Sequence, residues 1–253
     1  MSAYDNVIAA RSKGRPTGLA YIENIFSNFV ELHGDRRFAD DPAVVGGIAS
    51  IDGIPVTVIA IEKGGDTKER LRRNFGMPNP EGYRKALRLM KQAEKFHRAV
   101  VCFVDTSGAY CGLGAEERGQ GQAIAENLME LSSLRTPVIS ILVGEGGSGG
   151  ALALALADQV WILENAVYSV ISPEGCASIL WKDAKKVKEA SERLRLTAQD
   201  MQELGVVERI IGEDNFEAAY QEIKGLLAET LPSLLATPSD ELLQARYERF
   251  RKY

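Results

Sequence analysis

Cysteine, histidine and long apolar runs are scarce in this chain, and each shortage removes a class of function. The 253 residues include three cysteines (Cys102, Cys111 and Cys176), widely spaced and without a Cys-x-x-Cys pair, and two histidines, His33 and His97. That set is too thin for a structural zinc centre, so no metal site is expected in this chain. An odd number of dispersed thiols fits a reduced, cytoplasmic setting. The apolar run at 151–157 stops at Asp158, far short of the ~20 residues that cross a bilayer. Met1-Ser2-Ala3-Tyr4-Asp5 lacks the basic and apolar regions of a secretory signal. Lys and Arg are outnumbered by Asp and Glu, 30 against 35, so a net charge of −5 gives no overall attraction to nucleic acid. Low-complexity tracts and long linkers are also missing. Residues 1–253 are therefore expected to form a single domain, with 45% apolar content enough for a full core.

Glycine is what the chain has in quantity, and it is concentrated. Val143-Gly144-Glu145-Gly146-Gly147-Ser148-Gly149-Gly150-Ala151-Leu152 places five glycines in seven positions, between a strand-like run at 138–143 and a helix-like Ala/Leu run. Without Cβ atoms, a ligand reaches the backbone closely. A helix that opens here presents unpaired N–H groups and the positive end of its dipole, which suits an anion or a developing oxyanion. A tight strand–helix turn without chemistry explains the same pattern.

In chain order, 1–16 reads as a loose polar arm. Residues 21–32 have helical spacing (Ile22, Ile25, Phe26, Phe29), with Thr17 or Gly18 as cap. The runs 44–51 and 55–62, joined by Asp52-Gly53, read as a hairpin leading into the turn Lys63-Gly64-Gly65. Between 63 and 91, Lys63, Lys68, Arg70, Arg72, Arg73, Arg84, Lys85, Arg88 and Lys91 face only Asp66, Glu69 and Glu81. This is either a solvated face or a site for phosphates or an acidic partner. Asn79-Pro80 starts a helix, and His97 near its end reads as structural. Residues 99–105 form a continuous apolar strand that breaks into the loop Thr106-Ser107-Gly108-Ala109-Tyr110-Cys111-Gly112-Leu113-Gly114. Strand, glycine loop and helix thus occur twice in succession, at 99–134 and 137–157, at the sheet edge where α/β folds place ligands. Short strands follow at 159–163, 167–171 and 206–211, with helices from Ser172, from Thr197 and at 216–229. The last segment, 239–253, reads as a helix whose stripe of Leu243, Tyr247 and Phe250 docks either on its own core or, the reading preferred here, on a partner.

Several chemistries compete for the glycine run. Gly146-Gly147-Ser148-Gly149-Gly150 fits a nucleophile elbow, but a serine hydrolase needs His33 or His97 as base. The P-loop pattern is absent, and the dinucleotide fingerprint matches weakly and late in the chain. What remains is an amide-lined oxyanion site that needs no side-chain nucleophile.

The blocks Arg73-Asn74-Phe75-Gly76-Met77-Pro78, Pro80-Glu81-Gly82-Tyr83-Arg84-Lys85-Ala86-Leu87-Arg88, Ala115-Glu116-Glu117-Arg118-Gly119-Gln120, the glycine run, and Tyr168-Ser169-Val170-Ile171-Ser172-Pro173-Glu174-Gly175-Cys176-Ala177-Ser178-Ile179-Leu180-Trp181-Lys182 carry a resemblance. Together, and in this order, the chain resembles the alpha-subunit family of bacterial acetyl-CoA carboxylase carboxyltransferases, from about Thr17 onward. The resemblance implies an α/β, ClpP/crotonase-like spiral of repeated ββα units. It implies a beta subunit in an α2β2 assembly, which moves a carboxyl group from carboxybiotin on a biotin carboxyl carrier protein to acetyl-CoA, giving malonyl-CoA for fatty-acid synthesis. Biotin carboxylase would charge the carrier in the ATP-dependent half of the complex. Biotin would not be bound covalently to this chain, and zinc is expected only in the beta subunit.

Carried over by position, the Gly146 and Gly147 amides hold the ureido oxygen of carboxybiotin. Gly108, Ala109, Tyr110, Gly112, Gly114, Gly64 and Gly65 shape the pocket, and Arg73 and Lys85 belong to a basic surface for coenzyme A or the carrier. Ser107 and Cys111 replace prolines of the family, which loosens the loop in the unfolded state. Gly65 stands where the family often has arginine, and a further N-terminal helical region common in the family is not seen. A crotonase-like hydratase or isomerase using Glu116 or Glu145, a propionyl-CoA carboxyltransferase, and an inactive scaffold subunit are the alternatives.

Overall fold

The computed structural model describes residues 1–253. Before the sheet come α1 (Ala3–Ala10) and α2 (Gly18–Ile25), then β1 (Ser27–Glu31), β2 (Val44–Ile51) and β3 (Ile54–Ile61). The middle of the chain supplies α3 (Thr67–Arg72), α4 (Pro80–Lys95), β4 (Ala99–Thr106), α5 (Leu113–Glu117), α6 (Gln120–Ser133), β5 (Val138–Gly147) and α7 (Ser148–Ala155). It closes with β6 (Gln159–Leu163), β7 (Val167–Ser169), α8 (Pro173–Trp181), α9 (Val187–Leu194), α10 (Ala198–Glu203), β8 (Arg209–Ile211), α11 (Phe216–Ala236) and α12 (Ser239–Phe250).

One sheet runs β1-β2-β3-β4-β5-β6-β8. It is antiparallel from β1 to β3, through a hairpin whose Asp52 and Gly53 both have positive φ, and parallel from β3 onward. Every residue of β4 is buried, as expected for a strand covered on both faces. Helices α4, α6 and α7 pack together on one face, α2 and α11 on the other. Tyr21 of α2 fixes the second layer: its ring stacks on Phe103 at 5.3 Å and meets Tyr220 of α11 edge-on at 5.3 Å.

The unusual strand is β5, whose ten residues change neighbours midway. Its first half pairs with β6, from Ile139 against Gln159 to Leu142 against Ile162. Its glycine end runs past β6 and pairs instead with β7, with Gly146 opposite Tyr168 and Gly147 opposite Ser169. The glycine run is thereby carried to the rim of the sheet.

Four expectations need correction. The arm at 1–16 is not loose: Ser2 and Asp5 form a reciprocal capping box, and α1 buries Ala3, Val7 and Ala10, the latter two against Val167 and Leu196. The spacing 3, 7, 10 is helical, but it is short and flanked by polar residues. The helix predicted over 21–32 stops at Ile25, because Phe26 turns extended and the next residues pair with β2.

Most cations of the basic segment are paired within the chain, and two of them are buried. Lys85 is fully buried, donating to Asp40 at 2.6 Å and to the Asp41 carbonyl at 2.9 Å. Arg73 is buried, donating to the Pro42 carbonyl at 2.8 Å and to Glu69 at 3.1 Å. Arg84 pairs with Asp35, and Lys91 with Glu130. Burial pushes the Asp40 carboxyl up, but the Lys85 bond, with the Gly34 amide and His33, outweighs it and holds the pKa at about 2.

The terminal helix docks on its own core. Leu242, Arg246 and Arg249 face inward, not the predicted aromatic stripe, and Tyr247 is exposed. Arg246, 1% exposed, bonds Asp158 at 2.9 and 2.7 Å and the carbonyls of Leu131, Leu134 and Thr136.

Two outcomes follow from these pairs. Arg246→Ala leaves the buried Asp158 carboxylate without its cation and takes a donor from three carbonyls, which costs about 3–5 kcal/mol. Thermal unfolding should show a loss of at least about 6 °C for a chain of this length, and an unchanged midpoint would mean that α12 is not part of the core. Asp40 has a folded pKa below its unfolded value. Its contribution is present above the unfolded value and is lost as pH falls through the folded one. Asp40→Asn should therefore lower the melting temperature at pH 7, with the gap to the unaltered protein closing near pH 2.

Candidate functional site

The two strand–loop–helix units meet where β4 and β5 end, and they meet through missing side chains. A Cβ on Gly147 would fall on the carbonyl of Ser107, one on Gly144 on the Asp105 carboxylate, and one on Gly150 2.6 Å from the Ala109 nitrogen. Beneath Gly150 lies the buried Tyr83 hydroxyl. A side chain at Gly147 thus displaces the neighbouring loop rather than filling a ligand space.

The loop after β4 holds its shape without the two prolines. Thr106 Oγ1 donates to the Gly108 carbonyl at 2.8 Å and accepts the Gly108 N–H at 3.0 Å. Gln120 Nε2 donates to the carbonyls of Tyr110 and Pro78, each at 2.8 Å, and the Tyr110 N–H donates to Pro78. Gly108 has φ +147 and open space where a side chain would be. Gly112 lies against the Tyr110 ring and Gly114 near Arg118, on the outer part of the loop.

Gly146 and Gly147 lie within the sheet, with Gly146 paired to Thr106 on one side and both paired to β7 on the other. The helix begins one residue later. Helix α7 has no side-chain cap, so the amides of its first turn have no partner within the helix. Gly150 is covered by Ala109, which leaves Ser148 and Gly149 facing outward. Ser148 has φ 57, a left-handed value that a serine adopts only where its surroundings impose it. That is the backbone of a nucleophile elbow, but no base accompanies it. His97 precedes β4 at the opposite end, about 26 Å away for eight residues at roughly 3.3 Å each. His33 is exposed and paired with Asp40 at 3.0 Å.

Ser148 and Gly149 open on an apolar cavity of about 520 Å³. Tyr168, Val170 and Leu194 line it, with Phe250 and Tyr253 from the end of the chain. Sequence reasoning missed this wall, since nothing in the spacing ties 194–206 or 250–253 to the glycine run.

On the other side of the glycine strand is a polar cavity of about 200 Å³ lined by Arg11, Arg15, Lys63, Gly64, Asp105 and Glu145, among others. Lys63 Nζ bonds Asp105 at 2.6 Å and Glu145 at 3.2 Å, and Asp105 also accepts the Glu145 N–H at 2.8 Å. Arg11 bonds the second Glu145 oxygen at 2.7 Å and reaches Glu174 of α8 at 2.7 Å. Burial pulls the Lys63 ammonium down, but the two carboxylates outweigh it and its pKa is raised. With both oxygens committed, Glu145 is poorly placed as a general base, and Glu116 is exposed on α5. Gly64 lies at this cavity with its N–H donated to Glu62, and Gly65 beside it is open. No group of three or more metal-ligating side chains comes together, and no helix is long and apolar enough to cross a membrane.

Comparison with known proteins places this arrangement. A family model described as acetyl co-enzyme A carboxylase carboxyltransferase-like matches residues 1–253. The acetyl-coenzyme A carboxylase carboxyl transferase subunit alpha of Ruminiclostridium cellulolyticum is 63% identical, over 100% of this chain and 98% of that protein. A protein of Natranaerobius thermophilus, named acetyl-coenzyme A carboxylase carboxyl transferase subunits beta/alpha, is 58% identical over 99% of this chain and 42% of its own length. Among solved structures, transcarboxylase 12S with methylmalonyl-coenzyme A aligns with a TM-score of 0.74 at 19% identity, over 93% of this chain and 45% of that one. That likeness bears on the fold, which is crotonase-like as the resemblance implied. Matched from end to end by the family model and 63% identical to a full-length relative, the chain belongs to the acetyl-CoA carboxylase carboxyltransferase alpha-subunit family.

Proposed function

We propose that this chain is the carboxybiotin-binding half of a carboxyltransferase that, with a beta-type subunit, makes malonyl-CoA from acetyl-CoA in the first step of fatty-acid synthesis. The observation that carries the reading is the uncapped start of α7, whose amides open on an apolar cavity with no base in reach. A cavity of about 520 Å³ lies within the ~300–1,000 Å³ of small-molecule sites. Apolar walls beside an uncapped helix start fit a bicyclic ring with a single polar oxygen to be held.

The residues divide the work as follows. The amides of Ser148 and Gly149 would hold the ureido oxygen, where negative charge grows as the carboxyl group departs. Gly147 and Gly150 let the 106–109 loop pack close enough to fix those amides, and Gly146 makes room for the Tyr168 ring. The clamp of Lys63, Asp105 and Glu145 holds the ends of the strands in register. When bound, carboxybiotin would supply the carboxyl group that joins the acetyl methyl carbon and the ring nitrogen that accepts the proton this carbon gives up. The serine side chain has no part in this chemistry.

The remaining assignments belong to the same proposal. The beta-type subunit would hold acetyl-CoA and carry the zinc, in an α2β2 assembly served by a carrier protein and a biotin carboxylase in the cytoplasm. The beta/alpha fusion among the relatives supports the pairing.

Two experiments test this. The chain mixed with its beta-type subunit should exchange the carboxyl group between malonyl-CoA and free biotin, while neither chain does so alone. Hydration of an enoyl-CoA by this chain alone would overturn the reading in favour of a hydratase. Ser148→Ala keeps both amides and should retain at least about half of the exchange rate. A drop on the order of a thousandfold or more, the size expected when a nucleophile is removed, would restore the serine as nucleophile.

A further inference from the structure

Helix α8 overhangs the body it is built on. Its inward stripe is Pro173, Cys176 and Ala177, all buried at the spacing of one helix face. The same stripe continues to Leu180, four residues beyond Cys176, and to Trp181, four beyond Ala177. Yet Leu180 is 64% exposed and Trp181 38%. Ile179 is 68% exposed, and Val170, just before the helix, 80%. Three successive residues sweep about 200° of a helix, so the last turn is bare on most of its sides. Lys182 then stops the helix in a left-handed conformation. A core-facing stripe with no core beneath it has the composition of an interface centre.

The overhang adjoins the site. Val170 lines the apolar cavity next to Ser148, Pro173 lies at the small pocket beside Gly146 and Gly147, and Glu174 is held by Arg11. Whatever covers the tip of α8 also borders the space in front of the α7 amides.

We propose that Val170, Ile179, Leu180 and Trp181 form the surface on which the beta-type subunit docks, an inference that rests on the carboxyltransferase reading above. The choice of occupant has two supports. In the Natranaerobius relative the beta and alpha portions share one chain, and the region like this chain fills 42% of it. In transcarboxylase 12S the matching region is 45% of the chain, which leaves room for a second unit of similar size. A second copy of this chain would duplicate the α7 amides and add nothing to hold an acyl-CoA.

The test uses the complete chain co-expressed with its beta-type subunit. Ile179→Ser with Leu180→Ser should weaken association at least about tenfold, as loss of a buried interface anchor does. The exchange rate should fall with it at low protein concentration and recover at high concentration. Phe96→Ser, exposed at the opposite end of the sheet, is the control and should change neither. Hydrogen exchange on the unaltered proteins is independent of any folding defect: amides around 179–182 should gain protection when the beta-type subunit is added. Unaltered chains that do not associate overturn the carboxyltransferase reading and this surface with it. Association that survives the double substitution, without new protection at 179–182, overturns the surface alone. Protection of these amides by self-association, with the beta-type subunit absent, would assign the tip to a second copy and overturn the proposal.

Discussion

The structure depends on one close approach, that of the Gly147 backbone to the Ser107 carbonyl. Two strands of a parallel sheet normally deliver their loops side by side, with side chains between them. Here the loops after β4 and β5 touch through bare backbone, at Gly147 over Ser107 and at Gly150 over Ala109. The contact fixes the direction in which α7 leaves the sheet, and thus which of its amides face outward. It also imposes φ 57 on Ser148, a residue for which nothing else in the site requires that conformation. Glycine here serves packing first, and the exposed amides follow from the packing.

Electrostatics reinforce the same junction. Lys63, at the end of β3, neutralises Asp105 and Glu145, at the ends of β4 and β5. Removed from water, two such carboxylates side by side would repel, and the ammonium turns that repulsion into a three-strand clamp. Arg11 extends the chain of charges to Glu174, so the N-terminal helix, the glycine strand and α8 are held by one network. Arg15, with Glu213 at 2.6 Å on each arm and the Val143 carbonyl at 2.7 Å, fastens the segment between α1 and α2 to the same strand.

Much of the fold was legible in residues that act locally. Asp52-Gly53 specified its hairpin, the β-branched run at 99–105 its doubly covered strand, and the glycine run its strand–helix turn. The helix read from Thr197 starts there, with Thr197 and Asp200 in a reciprocal capping box. What could not be read depended on distant partners. Lys85 and Arg73 look like surface cations in sequence, because Asp40 and Pro42 lie more than thirty residues away. The inward face of α12 was misassigned because burying Arg246 requires Asp158 and three carbonyls that no periodicity reveals. At the site, the glycine run marked the junction of β5 and α7, but not that β7 carries the sheet as far as Gly147, which puts the uncapped helix start at Ser148. That pairing involves three residues of β7 and leaves no mark on composition.

The buried Arg246 has a bearing on motion as well as on stability. Its partners lie 88 to 115 residues earlier in the chain, so its bonds form only after the α/β core has closed. Until α12 lands, the carbonyls of Leu131, Leu134 and Thr136 lack the guanidinium that caps them in the folded chain. Any excursion of α12 from the folded state reopens them. The buried strand β5 therefore begins at an end whose protection depends on a helix from the far end of the chain. The rigidity of the glycine strand is set in part by how seldom that helix lets go.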